Sequence, residues 1–251
     1  MSNEINREKE IESKRHFWIQ LMGLPASGKT TLGKYISDRL GMDFVGEISV
    51  EDVSTFEDYY KPSSKDPSVI AFVTQLTFLF DRRCKVLGFG EKEGVKDMLE
   101  RGSVISESIY QDRIYAQARL ENSPKKMDEY NLFFEGMVDE EDHNPDLLVY
   151  IRLTYPTFIK RLINRAKTNP ERAVELEEKP EYWMRLRHLF ETWITENPLN
   201  LNIIIIDGDK YDFSNYENEE DAKKKLLEEL TGEMKKRLGG NENIILPEAL
   251  I

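Results

Sequence analysis

At 251 residues the chain is long enough for one large α/β domain with a full core, and nothing in it suggests two. Its 35 Lys and Arg against 47 Asp and Glu give a formal net charge of −12, which argues against a nucleic-acid or anionic membrane surface as partner, because either needs a basic face. One cysteine, Cys84, excludes an internal disulfide framework, and the three histidines, His16, His143 and His188, lack metal-ligand spacing.

Residues 1–15 are polar and charged without an apolar leader core, and no segment approaches the roughly eighteen apolar residues of a membrane helix, so a cytoplasmic enzyme is expected. Next comes a strand over Phe17 to Met22, a glycine loop, and a helix marked by Leu32, Ile36 and Leu40 and closed by Gly41. The loop "GLPASGKTT" fits the phosphate-binding pattern G-x-x-x-x-G-K-[ST] with Gly23, Gly28, Lys29 and Thr30 in the fixed places. Backbone N–H groups at a helix N-terminus cradle phosphates. The candidate set for a nucleoside triphosphate is therefore Gly23, Ala26, Ser27, Gly28, Lys29, Thr30 and Thr31, with Lys29 on the β- and γ-phosphates and the Thr30 hydroxyl on Mg²⁺.

The second strand ends at Glu47 in "MDFVGE", where a carboxylate beside the phosphate loop could take a proton from an attacking hydroxyl; an ordinary solvated glutamate is the alternative. Asp66 and Pro67 then start a helix, "SVIAFVTQLTFLFDRRC", apolar almost all round and so expected to be buried. Gln75 and Arg82 within it lie seven residues apart, on nearly one face, and suit the hydrogen-bonding edge of a base. The alternative for Arg82 is that it marks the helix's emergence into solvent beside Asp81 and Arg83. The third strand, Val104 to Ile105, runs into "SESIYQDR", and the fourth, Leu147 to Leu153, into a basic cluster of Arg161, Arg165, Lys167 and Arg172. That cluster is either a solvated face or a lid whose arginines fold over transferring phosphates. The fifth strand, Leu201 to Ile206, leads into "DGDKYDF", and an amphipathic helix with Leu226, Leu230, Met234 and Leu238 ends at Gly239–Gly240. Five strands with helices between them imply a parallel sheet covered on both faces, with ligands at the carboxyl ends of the strands. The domain is expected to span 16–238, with a lid at about 161–182, a charged extension over 1–15 and a tail over 239–251.

The ordered series "GLPASGKTTL", "FVGE", "EDYY", "TQLTFLFDRR", "SIYQDRIYA", "LLVYIRL", "KRLINRAK", "EYWMRLRHLFETW" and "IIIIDGDKYDF" resembles the deoxynucleoside kinases, the family of deoxycytidine, deoxyguanosine and deoxyadenosine kinases, over roughly Phe17 to Phe213. The resemblance implies a P-loop kinase fold with a helical, arginine-bearing lid, ATP and Mg²⁺ as cofactors, and transfer of the γ-phosphoryl group to a deoxynucleoside 5′-hydroxyl. It implies that Glu47 is the general base, that Gln75, Arg82 and Asp112 read a purine or cytosine base, and that Tyr60 and the lid carboxylate Glu171 hold the sugar 3′-hydroxyl. Arg165 matches the lid arginine, Lys167 stands where a second arginine is common, and Asp207 and Asp209 lie in the loop that packs on the adenine of ATP. A homodimer through the Gln75 helix and the "IYAQARL" helix is implied in the same way.

One departure stands out. The family usually carries an acid, an arginine and a serine at the end of the third strand, where this chain has Ser106, Glu107 and Ser108. An anion in place of a cation near a transferring phosphoryl group opposes the transition state. Because consecutive strand residues face opposite sides, Glu107 replaces the missing acid only if the strand end bends. Compensation is expected from Arg113, Arg165 or Arg172, or from a shifted Mg²⁺ held by Thr30, Ser106 and Glu107 through water; without it the chain would be a catalytically impaired nucleotide-binding subunit. A thymidylate-like nucleoside-monophosphate kinase is the other alternative, disfavoured because a monophosphate acceptor needs extra cations.

Overall fold

The structure, a computed structural model, describes residues 15–61, 66–87, 102–138, 144–211, 220–238 and 244–245. A short strand β1 (Arg15–His16) precedes β2 (Trp18–Gly23), buried along its whole length. The phosphate-loop helix α1 (Lys29–Leu40) follows and stops at Gly41, whose left-handed φ of 65° lets its N–H bond back to the Ser37 carbonyl. Then come β3 (Asp43–Val45), α2 (Phe56–Tyr60) and α3 (Pro67–Leu87). Asp66 starts α3 as its residue type predicts, accepting from the Ser68 N–H at 3.1 Å. After β4 (Ser103–Ile105) the Ser108 side chain caps α4 (Ile109–Leu120), which turns into α5 (Pro124–Met137). The second half comprises β5 (Leu147–Arg152), α6 (Tyr155–Thr168), a 3₁₀ segment (Pro170–Glu177), α7 (Pro180–Glu196), β6 (Ile203–Asp207), α8 (Glu220–Leu238) and β7 (Ile244–Ile245).

The main sheet has the order β3-β4-β2-β5-β6 and every pairing in it is parallel. All five strands predicted from apolar runs are present, each within about two residues of its expected ends. Alternation along the strands feeds two cores. Leu148, Tyr150 and Met22 pack on one side with residues from α2 to α7, while Ile19, Leu21, Val149 and Ile151 pack on the other with Leu32 and Ile36 of α1 and Leu226, Leu230 and Met234 of α8. Because β2 lies at the centre, its carboxyl end delivers the phosphate loop between the ends of β4 and β5, where the parallel rule puts ligands.

Two expectations change. The tail had no assigned place, yet Ile244–Ile245 pairs in parallel with Arg15–His16, so one strip of the tail is tied to the start of the domain. Gly239–Gly240 and His143 lie outside the described residues. The α3 helix, expected to be buried all round, is not: Val69, Val73 and Phe80 form an exposed stripe, Phe80 at 59%, continued on α5 by Leu132 at 71% and Phe133. Packing against α4 and α5 uses one flank of α3 and leaves the other uncovered. No helix among the described residues is long and apolar enough to cross a membrane.

Candidate active site

The phosphate loop owes its shape to residues that tolerate left-handed backbone. Gly28, the N-cap of α1, has φ 98°, and at Gly23 an added Cβ would meet the Ile151 carbonyl at 2.9 Å and Ser27 Oγ at 3.0 Å. Ala26 also adopts a positive φ of 58°. The first turn of α1 contains no acidic residue, so nothing on it opposes an anion at the helix N-terminus. Lys29 is buried and folded back into the loop, its Nζ donating to the carbonyls of Gly23 at 2.9 Å and Leu24 at 3.0 Å. Thr30 and Thr31 are half-buried on the same turn.

Opposite the loop stands a set of buried charges. The chain bends straight after β4: the Ser106 N–H bonds the Val45 carbonyl and the Ser108 N–H bonds the Leu21 carbonyl. The bend turns the Glu107 carboxylate inward, 3.4 Å from Lys29 Nζ and 2.6 Å from Arg82 Nη1. Ser106, Glu107, Glu47, Arg82 and Lys85 therefore line one small cleft, and the condition set for Glu107 by the strand geometry is met. Arg82 is also gripped by both oxygens of Asp112 through its Nε and Nη2. Glu47 accepts from Arg172 Nη2 at 3.0 Å. Arg172 Nη1 in turn reaches Glu175 at 3.1 Å, and Arg165 donates to the other Glu175 oxygen. Buried charges persist only when paired in this way.

Their protonation follows from these contacts. Burial would raise the Glu107 carboxyl, but Lys29, Arg82 and Arg172 outweigh it and hold it down at about 2. Burial, and then the Glu107 charge, push Glu47 above the ordinary carboxylate range against the pull of Arg172 and Lys29. Burial lifts the Asp112 carboxyl to about 6 although Arg82 pulls it down.

Beside the charges lies a buried cluster of an amide and phenols. Gln75 Nε2 donates to Tyr59 Oη at 2.9 Å, and Tyr59 Oη shares a hydrogen bond of 3.3 Å with Tyr182 Oη. Arg119 lies over the Tyr182 ring at 3.8 Å and the Tyr59 ring at 4.3 Å. Gln75 Oε1 is buried without a hydrogen-bond partner among the described residues. Tyr60 is buried, stacks on Trp183 with centroids 5.9 Å apart, and has its phenol pushed well up by burial and then by the charge of Glu175.

Lys29, Glu47, Gln75, Arg82, Asp112, Tyr60 and Arg165 thus converge on one region, while the emergence of Arg82 into solvent does not occur: it is 6% exposed. Glu171 departs from expectation. It is exposed, whereas Glu175, one turn on, is fully buried between the lid arginines. Lys167 is exposed, and the second lid cation on Glu175 is Arg172, which is half-buried. Arg113 turns away, with its Nε on Asn131 at 3.1 Å and its guanidinium over Phe134. Asp207 pairs with Lys210, and Asp209 Oδ1 accepts from the Thr154 N–H at the start of α6. Tyr59, Tyr182, Arg119 and Glu175 were missed by sequence reasoning. For Glu175 the signal was available in the four-residue spacing from Glu171, but only the turn of the 3₁₀ segment decides which carboxylate faces inward.

A family model described as deoxynucleoside kinase matches residues 19–232. Among relatives, the chain is 28% identical over 225 residues to a deoxyguanosine kinase of Lactobacillus acidophilus, covering 86% of this chain and 90% of that protein. It is also 28% identical over 219 residues to a deoxyadenosine kinase of the same organism, covering 84% and 94%. A deoxyadenosine kinase from M. mycoides, solved with the products dCMP and a flexible dCDP, superposes with a TM-score of 0.68 at 22% identity over 86% of this chain and all of that one. A second structure of that enzyme, with bound dATP, gives 0.64 at 21% identity over the same shares. These structural likenesses bear on the fold, which they share with the chain.

Proposed function

The chain belongs to the deoxynucleoside kinase family, whose members are ATP-dependent phosphotransferases, and from that premise we propose that it moves the γ-phosphoryl group of ATP to the 5′-hydroxyl of a purine deoxynucleoside or deoxycytidine. The observation that carries the reading is the buried Gln75 with its unpartnered Oε1, on the same helix as Arg82, which Asp112 grips and which lines one cleft with Glu47. An amide oxygen left buried and unsatisfied costs free energy until a ligand supplies a donor, and a base edge does so. The names of the bacterial relatives support a purine.

In this mechanism the 5′-hydroxyl gives its proton to Glu47 as its oxygen attacks the γ-phosphorus in line, and the bond to the bridging oxygen of ADP breaks. Lys29 and the loop N–H groups hold the donor phosphates, and Arg165 and Arg172 meet the charge that spreads over the equatorial oxygens. Gln75, Arg82 and Asp112 fix the base, while Tyr60 and Glu175 take the 3′-hydroxyl, the role expected of Glu171. The loop with Asp207 and Asp209 lies against the adenine of ATP. Thr30 fits Mg²⁺ in the way such sites are usually built, with one or two protein oxygens beside the substrate phosphates. Ser106, whose buried Oγ has no partner among the described residues, would complete the site. The ion supplies charge neutralisation of the donor phosphates. Two carboxylates lining one cleft, Glu47 and Glu107, weigh against a monophosphate acceptor. The exposed stripe of Val69, Val73, Phe80, Leu132 and Phe133 supports a homodimer. The role that follows is nucleotide salvage in the cytoplasm.

The test is phosphorylation with ATP and Mg²⁺ of the four natural deoxynucleosides and their monophosphates. Deoxyadenosine, deoxyguanosine or deoxycytidine should be the preferred acceptor, with thymidine and all monophosphates poor. A thymidine or monophosphate preference would overturn the assignment. With the best acceptor, Glu175→Gln should raise KM well beyond the effect of Glu171→Gln.

A further inference from the structure

We infer that Glu107 links the donor and acceptor sites, so that filling one tightens the other; the inference rests on the kinase reading above. Its two carboxylate oxygens serve different masters. Oε1 lies 3.4 Å from Nζ of the phosphate-loop Lys29, and Oε2 accepts from Nη1 of Arg82 at 2.6 Å. Arg82 is held from its other side by Asp112 and shares the buried face of α3 with Gln75. The result is an unbroken line of alternating charge, Lys29, Glu107, Arg82, Asp112, from the phosphate loop to the base pocket.

The backbone around Glu107 is pinned on both sides, by Ser106 N–H on Val45 and Ser108 N–H on Leu21, and Ser108 also donates to Gln20 Oε1 at 2.6 Å. The backbone therefore cannot carry the carboxylate after Lys29, and the bond from Arg82 holds the carboxylate itself. Lys29 must move, because it is spent on Glu107 and on two carbonyls of its own loop, and a triphosphate carries more negative charge than one carboxylate. Once Lys29 turns to the donor, Glu107 keeps Arg82 as its nearest cation and binds it harder. The guanidinium that meets the base is then fixed before the acceptor arrives, and ordering it no longer opposes binding. Linkage requires the reverse effect to be equal: the acceptor tightens the donor by the same factor.

The measurement is calorimetric titration of the full chain with whichever deoxynucleoside it phosphorylates best, in the absence and in the presence of a saturating non-hydrolysable ATP analogue with Mg²⁺. The analogue should tighten the deoxynucleoside at least about fivefold, the lower end of ordinary couplings between sites. Glu107→Gln removes the charge, and Glu107→Asp keeps it on a side chain one methylene too short to span both cations. Both should bring the factor close to one while each ligand still binds alone and thermal unfolding stays cooperative. Rescue by aspartate would reduce Glu107 to a local charge and overturn the inference, as would an undiminished factor in the glutamine variant or no coupling in the wild type. If deoxynucleosides are phosphorylated but the factor is insensitive to Glu107, only this inference falls; if none binds or reacts, the kinase reading falls with it.

Discussion

Glu47 sits where its ionisation decides the rate. A base acts only when deprotonated, and burial and Glu107 raise its carboxyl above the ordinary value of 4.5. Activity should therefore fall on the acid side as pH drops through that raised value, rather than through the range of an exposed glutamate. Glu107→Gln removes the second of the two causes, so the acid limb of the rate profile should move to lower pH, whatever happens to its height. A limb that stays put would mean that Glu107 does not act on Glu47. Two neighbouring carboxylates pushed in opposite directions, one up and one held at about 2, are also how a site keeps a base and a fixed anion apart at one pH. The fixed anion is Glu107, compensated by Lys29 and Arg82 and, of the arginines expected for this, by Arg172 rather than by Arg113, which turns away.

At the scale of elements, α6 ties the phosphate loop to the loop after β6. Arg161 Nη1 donates to the Ser27 carbonyl at 2.9 Å, and Nη2 donates to the carbonyls of Gly208 and Tyr211, each at 2.6 Å. Gly208 itself is packed so closely on Ile151 and Leu153 that a Cβ would meet them at under 3 Å. Arg161→Met loses hydrogen bonds from a charged donor, which are worth roughly 1.5–3 kcal/mol each, so the KM for ATP should rise about tenfold or more while the KM for the deoxynucleoside changes little. Equal rises in both would show that Arg161 supports the whole site. Sequence periodicity revealed the strands and the Gln75–Arg82 face because both repeat with fixed local geometry. It could not reveal Arg161 as a staple, since its partners are backbone carbonyls 134, 47 and 50 residues away. Nor could it show the pairing of Ile244–Ile245 with Arg15–His16, where two strips of two residues meet across the whole chain. The inward turn of Glu107 depended on a bend after β4 that residue types alone do not specify.

On the scale of the whole molecule, the charge of −12 sits on a fold that gathers its buried cations at the carboxyl ends of the strands, so an anionic ligand is drawn to one place. The apolar stripe on α3 and α5 is the opposite case, a surface that the proposed homodimer would bury. The protein should sediment as a dimer, and Val73→Glu combined with Leu132→Glu should yield a folded monomer; a monomeric wild type, or a variant that still dimerises, would contradict this. The family and the parallel sheet were legible because strands and helices repeat with fixed local geometry, and Gln75, Arg82 and Asp112 could be placed because helices carry them, whereas Glu47 lies two residues past the end of β3. What was not legible came from segments without a repeat, above all the 3₁₀ stretch that turns Glu175 inward and Glu171 out. The account as a whole turns on Glu47 accepting the proton of a deoxynucleoside. Its most direct test is the turnover number of Glu47→Gln against wild type with saturating ATP, Mg²⁺ and the best deoxynucleoside: a fall of about 10²- to 10⁴-fold with unchanged thermal unfolding is predicted, and an unchanged rate would contradict it.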